Sequence, residues 1–114
     1  MNIIYENFYN VEEPGGSPYK FEDKAELKEA VDLWTGSDDD EKDDARSQYG
    51  DINTWDVSNV TDMSYLFENK FNFNDDISNW VTSNVYNMEG MFYYCYKFDQ
   101  DISNWKTLNV NNLS

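Results

Sequence analysis

Apolar residues in the second half of the chain recur at an interval of 25 residues. Three tryptophans, Trp55, Trp80 and Trp105, mark this interval. Residues 56–80, laid over residues 81–105 without a gap, give 11 identities in 25 positions. Repetition at such a period indicates a repeat architecture, in which each unit buries its apolar face against its neighbours. We call residues 56–80 unit 1 and residues 81–105 unit 2.

Each unit contains two short segments that resemble strands, Asp-Ile-Ser-Asn-Trp and Asn-Val-Thr-Asp-Met, separated by a turn and followed by one helical turn. The pattern therefore predicts an α/β repeat solenoid of short parallel strands and helical turns. Asn59, Asn84 and Asn109 recur at one phase and are predicted to bond successive backbone groups as a ladder. The predicted interior consists of Trp55, Trp80, Trp105, Ile52, Ile77, Ile102, Val60, Val85, Met63, Met88, Phe67, Phe92, Phe73 and Phe98.

Residues 21–50 carry a helical pattern instead. Asp23, with Glu26 three positions later, forms a capping box. Apolar residues then follow at helical spacing: Leu27, Ala30, Val31 and Trp34. We expect this helix to cover the first coil, with binding in a groove of another protein as the alternative. Acids at 38–44 predict a second, short and exposed helix, since negative charge favours a helix N-terminus.

These patterns divide the chain into three segments. They are an N-terminal arm at 1–20, a helical cap at 21–50, and a repeat region at 51–114 with two full units and partial units at each end. Proline and glycine in the arm exclude a regular element there. Its apolar residues lead us to expect that it packs on its own domain or on a partner.

The net charge of −15 narrows the classes of partner. Binding of a nucleic-acid backbone requires a basic stripe on the protein, and the excess of acidic residues is repelled by an anionic membrane surface. We therefore expect neither, while a basic protein or a divalent cation stays open. No run approaches the ~20 apolar residues of a membrane span, and the first residues do not resemble a signal peptide. The localisation stays open.

The sequence predicts no catalytic site, cofactor or metal. The chain has no histidine, and its single cysteine, Cys95, excludes an internal disulfide. Asp76 and Asp101 recur at one phase with Asp51, which favours a structural role over catalysis. The acids at 38–44 are consecutive and interrupted by Lys42, whereas a calcium-binding loop of the EF-hand type needs alternating ligands and a glycine at its sixth position.

The run Trp55-Asp-Val-Ser-Asn-Val-Thr-Asp-Met63, with the later Phe-x-x-Asp-Ile-Ser-x-Trp, resembles the 25-residue repeat of BspA-like leucine-rich-repeat surface proteins and bacterial surface lipoproteins. The resemblance spans residues 52–113. Residues 21–50 also look like the helical segment that often precedes the first repeat in such proteins. The resemblance implies a leucine-rich-repeat-like solenoid used for adhesion or protein binding, without catalytic residues.

Large residues that differ between the two units are candidates for a partner-binding surface. They are Tyr65, Tyr93, Tyr94 and Tyr96, with Phe71 at the same phase as Tyr96. Exposed tyrosines provide contact area at low entropic cost. The alternative is that one or two of them pack between coils.

The open C-terminal coil is a second candidate, for a protein partner or for self-association. There we expect exposure of Val110 and Leu113, and of the undersides of Met91, Phe92 and Phe98. The expected function is thus a non-catalytic protein-interaction or structural assembly module. The alternatives are a subunit of a large assembly, such as a virion or organelle complex, and a calcium- or carbohydrate-binding surface adhesin.

Overall fold

The computed structural model describes residues 18–111, and the regular elements in this range are helical. Helix α1 spans Lys24–Trp34, helix α2 spans Asp39–Tyr49, and a 3-10 helix covers Ile52–Thr54. Each α-helix has 11 residues, and neither is long and apolar enough to cross a bilayer. Most of the predicted arm, residues 1–17, and the candidate Leu113 lie outside the described range.

Helix α1 begins as its capping pattern predicts. The carboxylate of Asp23 accepts a hydrogen bond from the amide of Glu26 at 3.0 Å. The carboxylate of Glu26 in turn accepts from the amide of Glu22 at 2.8 Å. The first bond satisfies a helix amide that has no partner within the helix, and the second joins Glu22, just before the cap, to the first turn. The helix buries the predicted stripe: Leu27, Ala30, Val31 and Trp34.

Helix α2 uses the acidic run as its N-terminus. The carboxylate of Asp38 accepts from the amide of Asp40 at 2.9 Å, and three more acids occupy the first turn. Negative charge there is attracted by the positive end of the helix dipole and so stabilises the helix. Ala45 is the buried residue of this helix. Within residues 18–111, no group of three or more acidic or cysteine side chains is arranged to hold a metal ion.

Helix α1 packs against unit 1 and against the tryptophan that precedes it. The indole nitrogen of Trp34 donates to the carboxylate of Asp75 at 2.7 Å. Its ring meets Trp55 edge-on, with 5.8 Å between centroids. At the other end of α1, the ammonium group of Lys24 donates to the hydroxyl of Ser64 at 2.7 Å. The helix therefore covers the N-terminal side of unit 1.

The predicted α/β solenoid of short parallel strands is wrong. Residues 18–111 contain no β-strand and no sheet. Two isolated parallel bridges are present, between Lys20 and Asp56 and between Asp62 and Asn87. A leucine-rich-repeat-like coil with strands is therefore not the architecture of this chain.

The predicted strand Asp-Ile-Ser-Asn-Trp folds as a turn because its polar side chains bond locally, whereas Asn-Val-Thr-Asp-Met forms only the isolated bridge between Asp62 and Asn87. At the end of unit 1, the carboxylate of Asp76 accepts from the amide of Ser78 at 2.9 Å and from its hydroxyl at 2.6 Å. The amide of Trp80 donates to the carbonyl of Ile77 at 3.2 Å. The turn recurs 25 residues later, at Asp101. Such local bonds compete with strand pairing, so the backbone does not extend.

Aromatic rings join successive units at the repeat interval. Trp80 stacks between Trp55 and Trp105, with centroids 6.3 and 6.5 Å away. Phe67 stacks on Phe92 at 5.6 Å, with the planes 3° apart. Rings at the same phase therefore lie over one another.

Hydrogen bonds to backbone carbonyls hold the units in the same register. The side-chain amides of Asn84 and Asn109 donate to the carbonyls of Ser58 and Ser83, each at 2.8 Å, which confirms the predicted asparagine ladder for these two residues. Alternate backbone amides of unit 1 also donate to carbonyls of unit 2. The donor and acceptor residues are Met63 and Asn87, Tyr65 and Glu89, Phe67 and Met91, and Asn69 and Tyr93, at 2.8–2.9 Å.

The residues predicted for the interior lie in the core or against it. The buried ones are Trp55, Trp80, Trp105, Ile52, Ile77, Val60, Val85, Met63, Met88, Phe67 and Phe73. The half-buried ones, packed against that core, are Ile102, Phe92 and Phe98. Val110 is half-buried too. Met91, expected to be exposed at the end of the last coil, is only 3% exposed.

Phe67→Ala is expected to lower the free energy of unfolding by about 3–5 kcal/mol, because deleting a fully buried ring leaves a cavity. Phe67 is 0% exposed, and its ring contacts Phe73 at 4.3 Å. Phe71→Ala is the matched control, since Phe71 is 51% exposed; we expect it to cost less than about 1 kcal/mol. Urea unfolding followed by tryptophan fluorescence measures both. Equal losses would contradict the assigned core.

Ser78→Ala is expected to raise the pKa of Asp76. That pKa is lowered chiefly by the hydrogen bond from the Ser78 hydroxyl, and next by the bond from its amide. A carboxyl with a lowered folded pKa stabilises the fold above its unfolded pKa of about 3.9, and this contribution is lost as the pH falls through the folded value. The variant should therefore show a smaller loss of stability in acid. NMR titration measures the pKa; Asp101, bonded to Ser103, should not change.

Candidate functional site

Five exposed aromatic side chains of units 1 and 2 lie beside one another. We call Tyr65, Phe71, Tyr93, Tyr94 and Tyr96 the aromatic surface; each is 40–73% exposed. Phe71 stacks on Tyr96 at 5.6 Å. The ring of Tyr94 lies 4.2 Å from that of Tyr93 and 5.9 Å from that of Tyr96. Three of the four tyrosines predicted from the sequence, Tyr93, Tyr94 and Tyr96, thus form one group with Phe71, and the fourth, Tyr65, lies against Gly90 of unit 2.

Bonds between the backbones of the units set these rings in register. The amide of Asn69 donates to the carbonyl of Tyr93 at 2.9 Å, and the amide of Lys97 donates to the carbonyl of Phe71 at 3.2 Å. The second bond joins the segments that carry Phe71 and Tyr96. The backbone of Phe71 and Tyr93, and that of the residue after Tyr96, is therefore fixed by the neighbouring unit.

Two tyrosines of the aromatic surface have a left-handed backbone. The φ angles are +57° at Tyr65 and +59° at Tyr94. The residues at the same phases of the other unit, Gly90 and Asn69, also have positive φ, at +60° and +64°. Glycine and asparagine adopt this region readily, whereas a bulky side chain is disfavoured there. Such strained residues are found where the surroundings fix them, and they are concentrated at functional sites.

Gly90 provides the space in which the ring of Tyr65 lies. A Cβ atom built on Gly90 would stand 2.3 Å from Cε1 of Tyr65. Real Cβ atoms do not approach so closely, so the ring rests against bare backbone of unit 2. The glycine at position 90 therefore makes room for the tyrosine at the same phase of unit 1.

Carboxylates lie among the hydroxyls of this surface. The pKa of Tyr65 is raised, first by its hydrogen bond to the carboxylate of Glu89, then by burial and by the charges of Glu89 and Glu68. The pKa of Tyr93 is raised chiefly by its hydrogen bond with Tyr94, and the charge of Glu68 adds to it. Both hydroxyls therefore stay protonated at neutral pH. Comparison of the two units selected large aromatic residues, so it did not predict that these two glutamates act on the tyrosine hydroxyls.

The end of unit 2 contains a concave site of different character. It is a cavity of about 450 Å³ lined by Met88, Gly90, Met91, Phe92, Tyr93, Ile102, Trp105 and Thr107. Met88, Met91 and Trp105 are each at most 8% exposed. Of the two residues predicted for this end, Val110 is half-buried and Leu113 lies outside the described range. The aromatic surface is thus the more accessible of the two candidates.

Tyr94→Asn is expected to raise the free energy of unfolding by up to about 1 kcal/mol, because asparagine tolerates the left-handed backbone better than tyrosine. Asn69 already holds the same phase in unit 1 with this geometry. Tyr93→Asn is the matched control: its ring is similarly exposed, but its φ is not positive, so no gain is expected. Urea unfolding tests both variants. A lower stability of Tyr94→Asn would contradict the strain at this position.

Comparison with known proteins assigns most of the chain to a family. Residues 40–114, more than half of the chain, match the family model described as "Mycoplasma protein of unknown function, DUF285". The matched range contains both units and the whole aromatic surface. No curated protein and no solved structure matches the chain. The resemblance to BspA-like proteins stays a prediction, since the match does not test it. The extent of the family match shows that the chain belongs to the DUF285 family.

Proposed function

We propose that this protein is a non-catalytic protein-interaction module that binds its partner through the aromatic surface. The observation that supports the proposal is the array of five exposed aromatic side chains. Contiguous exposed apolar surface is typical of interaction sites. Tyrosine is also enriched among the residues that contribute most to binding energy at protein interfaces.

The shape of the surface favours a protein over a small molecule as the partner. Small-molecule sites are concave and enclose most of the ligand. The aromatic surface spans two units, and Tyr96 at its edge is 73% exposed. Its tyrosine hydroxyls add polar groups to the apolar rings, a combination that is common at protein interfaces.

The left-handed backbone of two tyrosines is a second argument that their side chains take part in binding. A non-glycine residue in the left-handed region costs about 1–2 kcal/mol. Tyr65 and Tyr94 carry this cost, although the neighbouring unit shows that glycine or asparagine fits the same phase. A destabilising residue that is retained on a surface is expected where binding requires its side chain.

A photo-crosslinking amino acid in place of Tyr96 tests the proposal. In the cells that make the protein, ultraviolet light is expected to join p-benzoylphenylalanine at this position to one defined partner. The adduct is identified by gel shift and mass spectrometry. Adding Phe71→Ser and Tyr93→Ser should abolish it, because these changes remove the neighbouring rings.

The matched control carries the same amino acid in place of Leu108, which is 97% exposed and apolar. Adducts of the same identity and yield from both positions would show that crosslinking reports exposure alone. That result, or the absence of any adduct at position 96, would refute the proposed function.

A further inference from the structure

The aromatic surface is acidic as well as aromatic. The amide of Glu68 donates to the carbonyl of Tyr65 at 3.2 Å, and the amide of the next residue, Asn69, donates to the carbonyl of Tyr93 at 2.9 Å, so Glu68 lies beside these two tyrosines. Glu89 accepts the hydroxyl of Tyr65 on the same surface. Among residues 18–111, no lysine or arginine forms an ion pair with Glu68. The carboxylate of Glu68 is thus available to a cation of a partner.

The protein's own cations show what binds to such a combination of groups. The guanidinium of Arg46 lies over the ring of Trp34, 5.1 Å from its centroid. It is held there by the carboxylates of Asp51 at 2.8 Å and Asp43 at 3.1 Å. Lys42 also lies over Trp34, at 4.9 Å. A ring face flanked by carboxylates is therefore a cation site in this fold.

The remaining charge of the protein favours a positively charged partner. The net charge is −15, and the chain has eight basic residues. Five of them are already engaged in internal ion pairs: Lys24, Lys28, Lys42, Arg46 and Lys70. The protein as a whole therefore carries an excess of negative charge, which raises the rate of encounter with a basic partner.

We infer that the aromatic surface binds an arginine-rich basic segment of a partner protein. This inference rests on the proposed function. Guanidinium planes of the partner stack on the exposed rings of Tyr93, Tyr94 and Tyr96, and one of them pairs with the carboxylate of Glu68. Arginine fits better than lysine because its planar group stacks on rings and donates several hydrogen bonds in fixed directions.

Calorimetric titration of the full chain with synthetic peptides tests the inference. The probe is a 12-residue glycine–serine peptide with four arginines, and its counterpart has four lysines at the same positions. At an ionic strength of about 0.15 M, where long-range attraction is screened, the arginine probe is expected to bind about threefold or more tighter than the lysine probe. Equal affinities would overturn the selection of arginine.

Variants locate the binding site of the probe. Glu68→Gln and Tyr96→Ser are each expected to weaken binding of the arginine probe by about three- to fivefold. Asp44→Asn removes one exposed acid from α2, and Leu108→Ser removes an exposed apolar side chain elsewhere; both should change the Kd by less than about twofold. Circular dichroism checks that each variant is folded.

The outcomes separate this inference from the proposed function. If Asp44→Asn weakens binding as much as Glu68→Gln does, the attraction is diffuse and the inference is wrong. If the arginine probe does not bind while position 96 still crosslinks to a partner, the inference is wrong and the proposed function stands. If position 96 yields no adduct, the proposed function fails regardless of the peptide results.

Discussion

The stacking of equivalent rings at one register is the interaction on which the rest of this structure depends. Trp80 is held between Trp55 and Trp105, and its indole nitrogen also donates to the carbonyl of Ile52 at 2.9 Å. A shift by one residue would separate the rings and misplace the indole donor at the same time. Ring stacking and the backbone hydrogen bonds between the units together align one unit with the next.

The surface chemistry follows from the same register. The bonds between unit backbones place Phe71 against Tyr96 and bring the ring of Tyr65 over Gly90. Side chains that are 25 residues apart in the sequence therefore form one array. The interior residues fix the alignment, and the outward residues at aligned phases provide the candidate binding surface.

The features that were predicted correctly from the sequence are those that depend only on the spacing of residues. Helix α1 has a cap and a periodic apolar stripe, and both are found where the pattern puts them. The phase of the interior residues likewise follows from the repeat. The predicted strands are wrong because the Asp and Ser side chains of Asp-Ile-Ser-Asn-Trp close turns at Asp76 and Asp101, and its Ile and Trp, three positions apart, lack the alternation of a strand. The roles of Glu68 and Gly90 depend on contacts between units, and no pattern within one unit reveals them.

The bare backbone of Gly90 has a consequence for how such a chain can arise. An identical copy of unit 1 placed after unit 1 would put a tyrosine where glycine now stands, and its Cβ would lie 2.3 Å from the ring of Tyr65. The half-exposed ring of Tyr65 would then have to leave its present position. Two equal units could therefore not present this tyrosine as the present pair does, so the outward face of unit 1 depends on the difference between the units.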